Sequence, residues 1–248
     1  MDSIDYAERI QRLILPPLET VRHHFSDSFV VYIPKDVISG DIYWFTKQEN
    51  IFLLSAIDCT GHGVPGALMS MVAYNLLNRS VSAGEKRDAV PVITSMNKGL
   101  KNFLASRIEN SSVRDGMDMS VCSIDLNTLQ LNFAGAQNSV YIVRNGELTE
   151  LKAENVSMGD PAYFDHVFLN QSMQLKKGDW VYLFTDGYAD QKGGPNNKKF
   201  YYQPFKEMII GMNNLSGKEQ KLNSEKLFYA WKGENEQLDD VLIIGVKI

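Results

Sequence analysis

Cysteine is scarce in this chain: Cys59 and Cys122 are the whole supply in 248 residues. A disulfide scaffold is therefore not expected. The N-terminal stretch MDSIDYAERIQ has no signal-peptide pattern, so the reducing cytoplasm is the expected compartment. No apolar run approaches the length of a membrane span. A basic excess is also missing. Lys and Arg number 25 against 30 Asp and Glu, a net charge of −5, which disfavours nucleic acid or an anionic membrane as the main partner. Four histidines are present, and with the two cysteines they form no cluster of zinc-site spacing.

What is present is ordinary globular material. The hydrophobic fraction of 44% and charged fraction of 22% suit a soluble fold, and the length suits one large domain or two small ones. Residues 2–15 read as a helix, with Ile4, Ala7, Ile10 and Ile14 recurring at intervals of three and four and Pro16-Pro17 ending it. This helix is either the tail of a connector or a helix lying on its own domain. We assign residues 1–20 to a connector and 21–248 to the main domain.

Strands are expected at Ser28–Ile33, Ile42–Thr46 and Ile51–Ile57, with a turn at Lys47–Asn50. Helices follow at Gly66–Arg79 and Val90–Ser106. Further strands are expected at Asp118–Asp125, Gln130–Ala134, Ser139–Val143 and Glu147–Leu151, the last two joined by the tight-turn pair Asn145-Gly146. Val167–Leu175 and Trp180–Thr185 read as one more strand pair. Helices near Gln203–Met212 and Lys218–Trp231 precede a final strand, Val241–Lys247. Ser82–Asp88, Glu109–Gly116 and Lys192–Lys199 read as irregular. This order is not a βαβ alternation. It predicts an α+β fold, antiparallel sheets with helices packed outside.

Four aspartates stand at expected strand ends: Asp41 and Asp239 open strands, Asp58 and Asp186 close them. Should those ends meet, the carboxylates repel unless cations sit among them, and hard divalent ions prefer oxygen ligands. Aspartate at a strand end is also common turn chemistry. Glycines beside three of the four tilt the balance, because glycine lets backbone approach a ligand closely. The densest segment, Asp58-Cys59-Thr60-Gly61-His62-Gly63-Val64-Pro65-Gly66, contains a formal G-x-G-x-x-G. The helix beyond it leads into a second helix rather than a parallel strand, so a dinucleotide site is not supported. Thiol-based phosphatases set an arginine at a fixed short distance after the cysteine, and Pro65 and Thr128 stand there instead. His62 is a candidate proton donor or phosphate ligand, or a structural loop residue. Lys35 and Lys192 flank the acidic motifs, either as phosphate contacts or as solvated surface lysines.

Taken together, YAERIQRLILPP (6–17), PKDVISGDIYW (34–44), DCTGHGVPGA (58–67), GMDMSVC (116–122), YLFTDGYADQKGG (182–194) and DDVLIIGVKI (239–248) resemble the SpoIIE/RsbU-like branch of the metal-dependent PPM, or type-2C, protein phosphatases. The resemblance implies an α-β-β-α sandwich of two antiparallel sheets flanked by helices. It also implies a site for two divalent metal ions, Mn²⁺ or Mg²⁺. By motif, Asp58 bridges both ions, the Cys59 carbonyl binds one, Asp186 and Asp239 hold the second, and Asp41 is a direct or water-mediated ligand. Asp118 is similar to an aspartate that holds a third, weaker ion in some members. The implied reaction is hydrolysis of a serine/threonine phosphoprotein, often a phosphorylated STAS-type regulator, by an effector domain following a sensor. The rival readings are a phosphatase-like partner-binding module without turnover and a hydrolase of small phosphoesters. The short N-terminal helix is similar to the end of a family connector, and a homodimer through it is expected. Two departures from the family pattern stand out. Leu242 replaces a usual threonine, which removes a hydroxyl near the site, and Asp160 replaces a second glycine in Ser157-Met158-Gly159-Asp160.

Overall fold

The computed structural model describes residues 3–82, 88–105 and 115–248. Its backbone is built from two five-stranded antiparallel sheets. The first has the order β1 (Asp27–Ile33), β12 (Val241–Lys247), β9 (Trp180–Phe184), β6 (Val140–Arg144), β7 (Glu147–Leu151). The second runs β2 (Ile42–Gln48), β3 (Ile51–Cys59), β4 (Met117–Asp125), β5 (Gln130–Ala136), β8 (Gln171–Gln174). Helices α3 (Gly63–Ser82) and α4 (Ala89–Ala105) cover the second sheet, while α6 (Tyr202–Gly211) and α7 (Gly217–Lys232) cover the first. Helices α1 (Ser3–Ile14) and α2 (Glu19–Arg22) precede the sheets, and the single-turn α5 (Gly187–Asp190) follows β9. The α-β-β-α sandwich expected from the sequence is what the chain forms.

Strand side chains alternate faces, so a strand apolar at every position must be covered on both. In β3, Phe52, Leu54 and Ala56 enter the core between the sheets, while Leu53, Ile57 and Cys59 enter the core under α3 and α4. In β12, Leu242, Ile244 and Val246 face the other sheet, and Val241 and Ile243 face α6 and α7. Three cores thus separate four layers.

Most expected elements are observed within a few residues, including the Asn145-Gly146 turn, where both residues take positive φ of 52° and 81°. Helix α3 starts earlier than expected, at Gly63, which places Pro65 in its first turn, where no N–H is required. Two expectations are corrected. Val167–Leu175 and Trp180–Thr185 do not pair: only Gln171–Gln174 is a strand, and it joins β5 in the second sheet, while β9 lies between β6 and β12 in the first. The apolar residues that suggested a longer strand, Val167 and Leu169, point to solvent. Lys192–Lys199 is not irregular throughout. Its ends form a small ribbon of β10 (Lys192–Gly193) and β11 (Lys198–Lys199). Most of the irregular segments expected at 82–88 and 109–116, and the end of the helix expected to reach Ser106, lie outside the described residues.

Helix α1 buries a polar residue rather than its isoleucines. Gln11 donates from Nε2 to the Ser39 carbonyl (2.6 Å) and the Ser70 hydroxyl (3.1 Å), and its Oε1 accepts from the Ser39 N–H (3.0 Å). Ile4 and Ile10 remain 39% and 44% exposed, beside an apolar trough lined with Val64, Leu68 and Met71 of α3. Among the described residues no helix is long and apolar enough to cross a membrane.

Candidate metal centre

Antiparallel register decides where the aspartates fall. The start of β2 lies opposite the end of β3 (Ile42 with Ile57), and the end of β3 opposite the start of β4 (Cys59 with Met117). In the other sheet the start of β12 lies opposite the end of β9 (Ile243 with Phe184). The strand ends carrying Asp41, Asp58, Asp118, Asp186 and Asp239 are therefore neighbours along one edge of the sandwich. Asp58 proves to be the penultimate residue of β3 rather than its terminus, and it is directly paired with Asp118 of β4.

Asp41, Asp118 and the neighbouring Asp240 are each held by hydrogen bonds. Asp41 is 2% exposed; its Oδ2 accepts from the Thr185 hydroxyl (2.6 Å), whose oxygen accepts the Leu242 N–H (3.1 Å). The hydroxyl expected to be lost at Leu242 is thus supplied beside Asp41 by Thr185, while Leu242 itself lies between the sheets. Asp118 Oδ1 accepts from the Ser157 hydroxyl (2.7 Å). Asp240, next to Asp239, accepts the N–H groups of Lys35 and Gly40, each at 2.7 Å, and so ties the loop before β2 to the start of β12. Asp160, at the second departure, caps the short 3₁₀ turn Pro161–Tyr163 by accepting the Ala162 N–H.

The glycines have a different use from the one expected. A Cβ on Gly66 would lie 2.1 Å from the Gly61 carbonyl oxygen, and one on Gly187 1.9 Å from the Asp240 carbonyl oxygen. They let the motif backbones touch one another, which draws the aspartates beside them into one place.

The electrostatics follow from that crowding. Burial pushes the Asp41 and Asp58 carboxyls well above the usual carboxylate range, and neighbouring aspartates add to it: Asp240, Asp239 and Asp186 on the first, Asp41, Asp186, Asp239 and Asp118 on the second. Burial, then Asp190, Asp239 and Asp118, raises Asp186 to about 6, with Lys199 opposing. Asp118 is raised by burial as well. Among the described residues, no three His, Cys, Asp or Glu side chains are already gathered round one point. The carboxylates nonetheless share a field, since neighbouring aspartates raise the pKa of Asp41 and Asp58.

This donor set fits hard divalent cations, since it is made of oxygen atoms and short of positive charge. The Cys59 thiol faces the apolar core under α3 and α4, and burial raises its pKa well above normal, so it is neither nucleophile nor soft ligand. The Cys59 carbonyl oxygen faces the Gly40-Asp41 loop, 3.1 Å from the position of a Cβ on Gly40.

The remaining candidates lie at the margin. His62 is half exposed, and its Nδ1 is 2.7 Å from Oδ2 of Asp36 rather than on any of the five carboxylates. Lys35 is anchored through its backbone N–H by Asp240. Sequence reasoning missed Thr185, Ser157, Asp36 and the clamp role of Asp240. Thr185, Asp36 and Asp240 lie inside the quoted motifs and Ser157 opens the Ser157–Asp160 segment, but nothing local says which distant group each one meets.

Comparison with known proteins identifies relatives of the whole fold. Residues 49–248 match the family model for stage II sporulation protein E (SpoIIE). The phosphoserine phosphatase RsbU of Bacillus subtilis (strain 168) is 24% identical over 193 residues, 76% of this chain and 53% of that protein, so the chain spans about half the length of this curated relative. The SiaA-PP2C domain of Pseudomonas aeruginosa superposes with a TM-score of 0.89 and 32% identity, covering 100% of this chain and 96% of that one. The PP2C phosphatase domain of SpoIIE from Bacillus subtilis, with a fragment of its regulatory domain, gives a TM-score of 0.71 at 20% identity, over 90% of this chain and 63% of that one. The chain belongs to the SpoIIE family, within the metal-dependent PP2C-type (PPM) protein serine/threonine phosphatases.

Proposed function

We propose that the acidic edge is a binuclear centre, for Mn²⁺ or Mg²⁺, that hydrolyses phosphoserine or phosphothreonine in a signalling phosphoprotein, with a STAS-type regulator as the substrate. The observation that carries this reading is the meeting of five aspartates from five strand ends at one edge, with at least two of them pushed far from their ordinary pKa by burial and by each other. Asp58 and the Cys59 carbonyl would hold one ion, with Asp58 shared between the two; Asp186 and Asp239 would hold the second, Asp41 would act directly or through water, and Asp118 would hold a weaker third.

Bound there, divalent ions supply Lewis acidity toward phosphoryl oxygens and acidify a water molecule. The chain's own residues orient the ligands. Thr185 fixes the rotamer of Asp41, Ser157 that of Asp118, and Asp240 pins the loop that carries Asp41. His62, with Nδ1 on Asp36, has Nε2 to deliver a proton to the departing serine or threonine oxygen. Lys35, at the start of the same loop, is the candidate contact for the phosphoryl group. The exposed isoleucines of α1 support a dimer through that helix.

The test is hydrolysis of p-nitrophenyl phosphate and of a phosphoserine peptide before and after chelation. Activity should vanish in EDTA and return with Mn²⁺. Full turnover in the chelated protein overturns the reading, and a metal-loaded protein inert toward both substrates identifies a binding module instead.

A further inference from the structure

A groove of about 490 Å³ opens directly from the acidic edge, with Asp118 and Asp186 in its wall. Asn138, Lys152, Tyr202 and Lys206 also line it. The turn carrying Asn138 is fixed by backbone bonds. Gln137 donates its N–H to the Glu154 carbonyl (2.9 Å), Asn138 donates its own to the Ala136 carbonyl (2.7 Å), and the Ser139 hydroxyl oxygen accepts the Ala153 N–H (3.0 Å).

None of these bonds uses the Asn138 side chain. Asn138 is only 6% exposed, yet its buried side-chain nitrogen has no hydrogen-bond partner among the described residues. Buried amide groups are nearly always paired, so an unpaired one lining a groove calls for an acceptor that arrives with a ligand. The acceptor matched to a neutral amide donor is another neutral group, above all a peptide carbonyl. Lys206 is already committed, 2.8 Å from Glu150 and 5.0 Å above the Tyr141 ring. Asn138 therefore stands as the buried donor in the wall without a partner among the described residues, whereas Gln137 and Lys152 are exposed to solvent. A groove of this volume also exceeds what a phosphoryl group alone fills.

We propose that this groove seats the polypeptide flanking the phosphorylated residue, and that Asn138 is a specificity-determining contact, donating to a main-chain carbonyl of the substrate. The inference rests on the phosphoprotein phosphatase reading above.

The experiment compares kcat/KM for a phosphoserine peptide of about nine residues with that for p-nitrophenyl phosphate, which is too small to span the groove. In Asn138→Ala the ratio of peptide to aryl phosphate should fall about tenfold, through KM for the peptide rather than kcat. A proportional fall on both substrates, or no change on either, overturns the assignment. A wild-type protein inert toward both overturns the underlying phosphatase reading instead. In the unsubstituted protein, the Asn138 side-chain amide resonance should also shift when the peptide is added. A resonance that does not move overturns the contact, however the variant folds.

Discussion

Thr185 and Asp41 are 144 positions apart in the chain, yet the hydroxyl of one donates to the carboxylate of the other across 2.6 Å, at a point buried from solvent. The bond joins the end of β9 to the loop that opens β2, and so spans the two sheets at the edge where the carboxylates meet. Thr185→Val keeps the shape and removes the donor. Its expected cost is about 10–100-fold in Mn²⁺ affinity, the usual range for a group that orients a metal ligand, while Thr185→Ser should stay near wild type. Mn²⁺ titration of turnover measures both, and equal behaviour of the two variants would show that the hydroxyl does not orient Asp41.

Asp58 lies where burial and four other aspartates all oppose its charge. Asp58→Asn should therefore have two opposite effects. Turnover should be lost, because the bridging charge is gone. The metal-free protein should become more stable, by on the order of 1 kcal/mol, because a repelled buried charge is gone as well. Thermal melts in EDTA beside activity assays in Mn²⁺ test the pair. A variant that is inactive and also less stable in EDTA would point to a structural role for Asp58.

The pH dependence has a definite sign. Asp186 is raised from its ordinary 3.8 to about 6, first by burial, then by Asp190, Asp239 and Asp118, with Lys199 pulling the other way. A raised carboxyl holds its proton in the folded chain and releases it in the unfolded one. Its contribution to stability is full below about 4 and lost as the pH rises through about 6. Metal-free wild type should lose melting temperature over that interval relative to Asp186→Asn. The stabilisation given by Mn²⁺ should grow over the same interval, since ions and protons compete for the carboxylates. Parallel pH curves for wild type and variant would show that Asp186 titrates normally.

The N-terminal helix reaches the acidic loop through one side chain. Gln11 grips both backbone groups of Ser39, and the Ser39 hydroxyl accepts the Asp41 N–H at 3.1 Å. Gln11→Leu should shift the Mn²⁺ dependence of turnover without changing oligomeric state. Replacing the exposed Ile4 and Ile10 with Asp should weaken self-association in sedimentation. If neither variant differs from wild type, the helix is a tether only.

The layered fold was legible because its signals are local. Period-two apolar strands, the Asn145-Gly146 turn and the helix stripes need no knowledge of distant partners. The five aspartates were legible for the same reason, each sitting in its own short motif. What escaped depends on tertiary pairing. Thr185 reads as part of Phe-Thr-Asp-Gly until Asp41 arrives beside it, and Asp240 clamps groups about 200 residues earlier in the chain. Asn138 reads as a turn residue until its lack of a partner is seen. Val167 and Leu169 misled because residues of strand-forming type suggest a longer strand, and here they face water outside β8.

Strand β12 occupies an interior place in its sheet, between β1 and β9, and Asp239 and Asp240 directly precede it. Synthesis therefore delivers one proposed metal ligand, the clamp on the Gly40 loop and a central strand together, after the other strands of both sheets. Until residues 239–247 have left the ribosome and slotted in, β1 and β9 have no shared partner and the acidic edge is one ligand short. Shortening the chain by its last ten residues should accordingly abolish folding and activity in a single step.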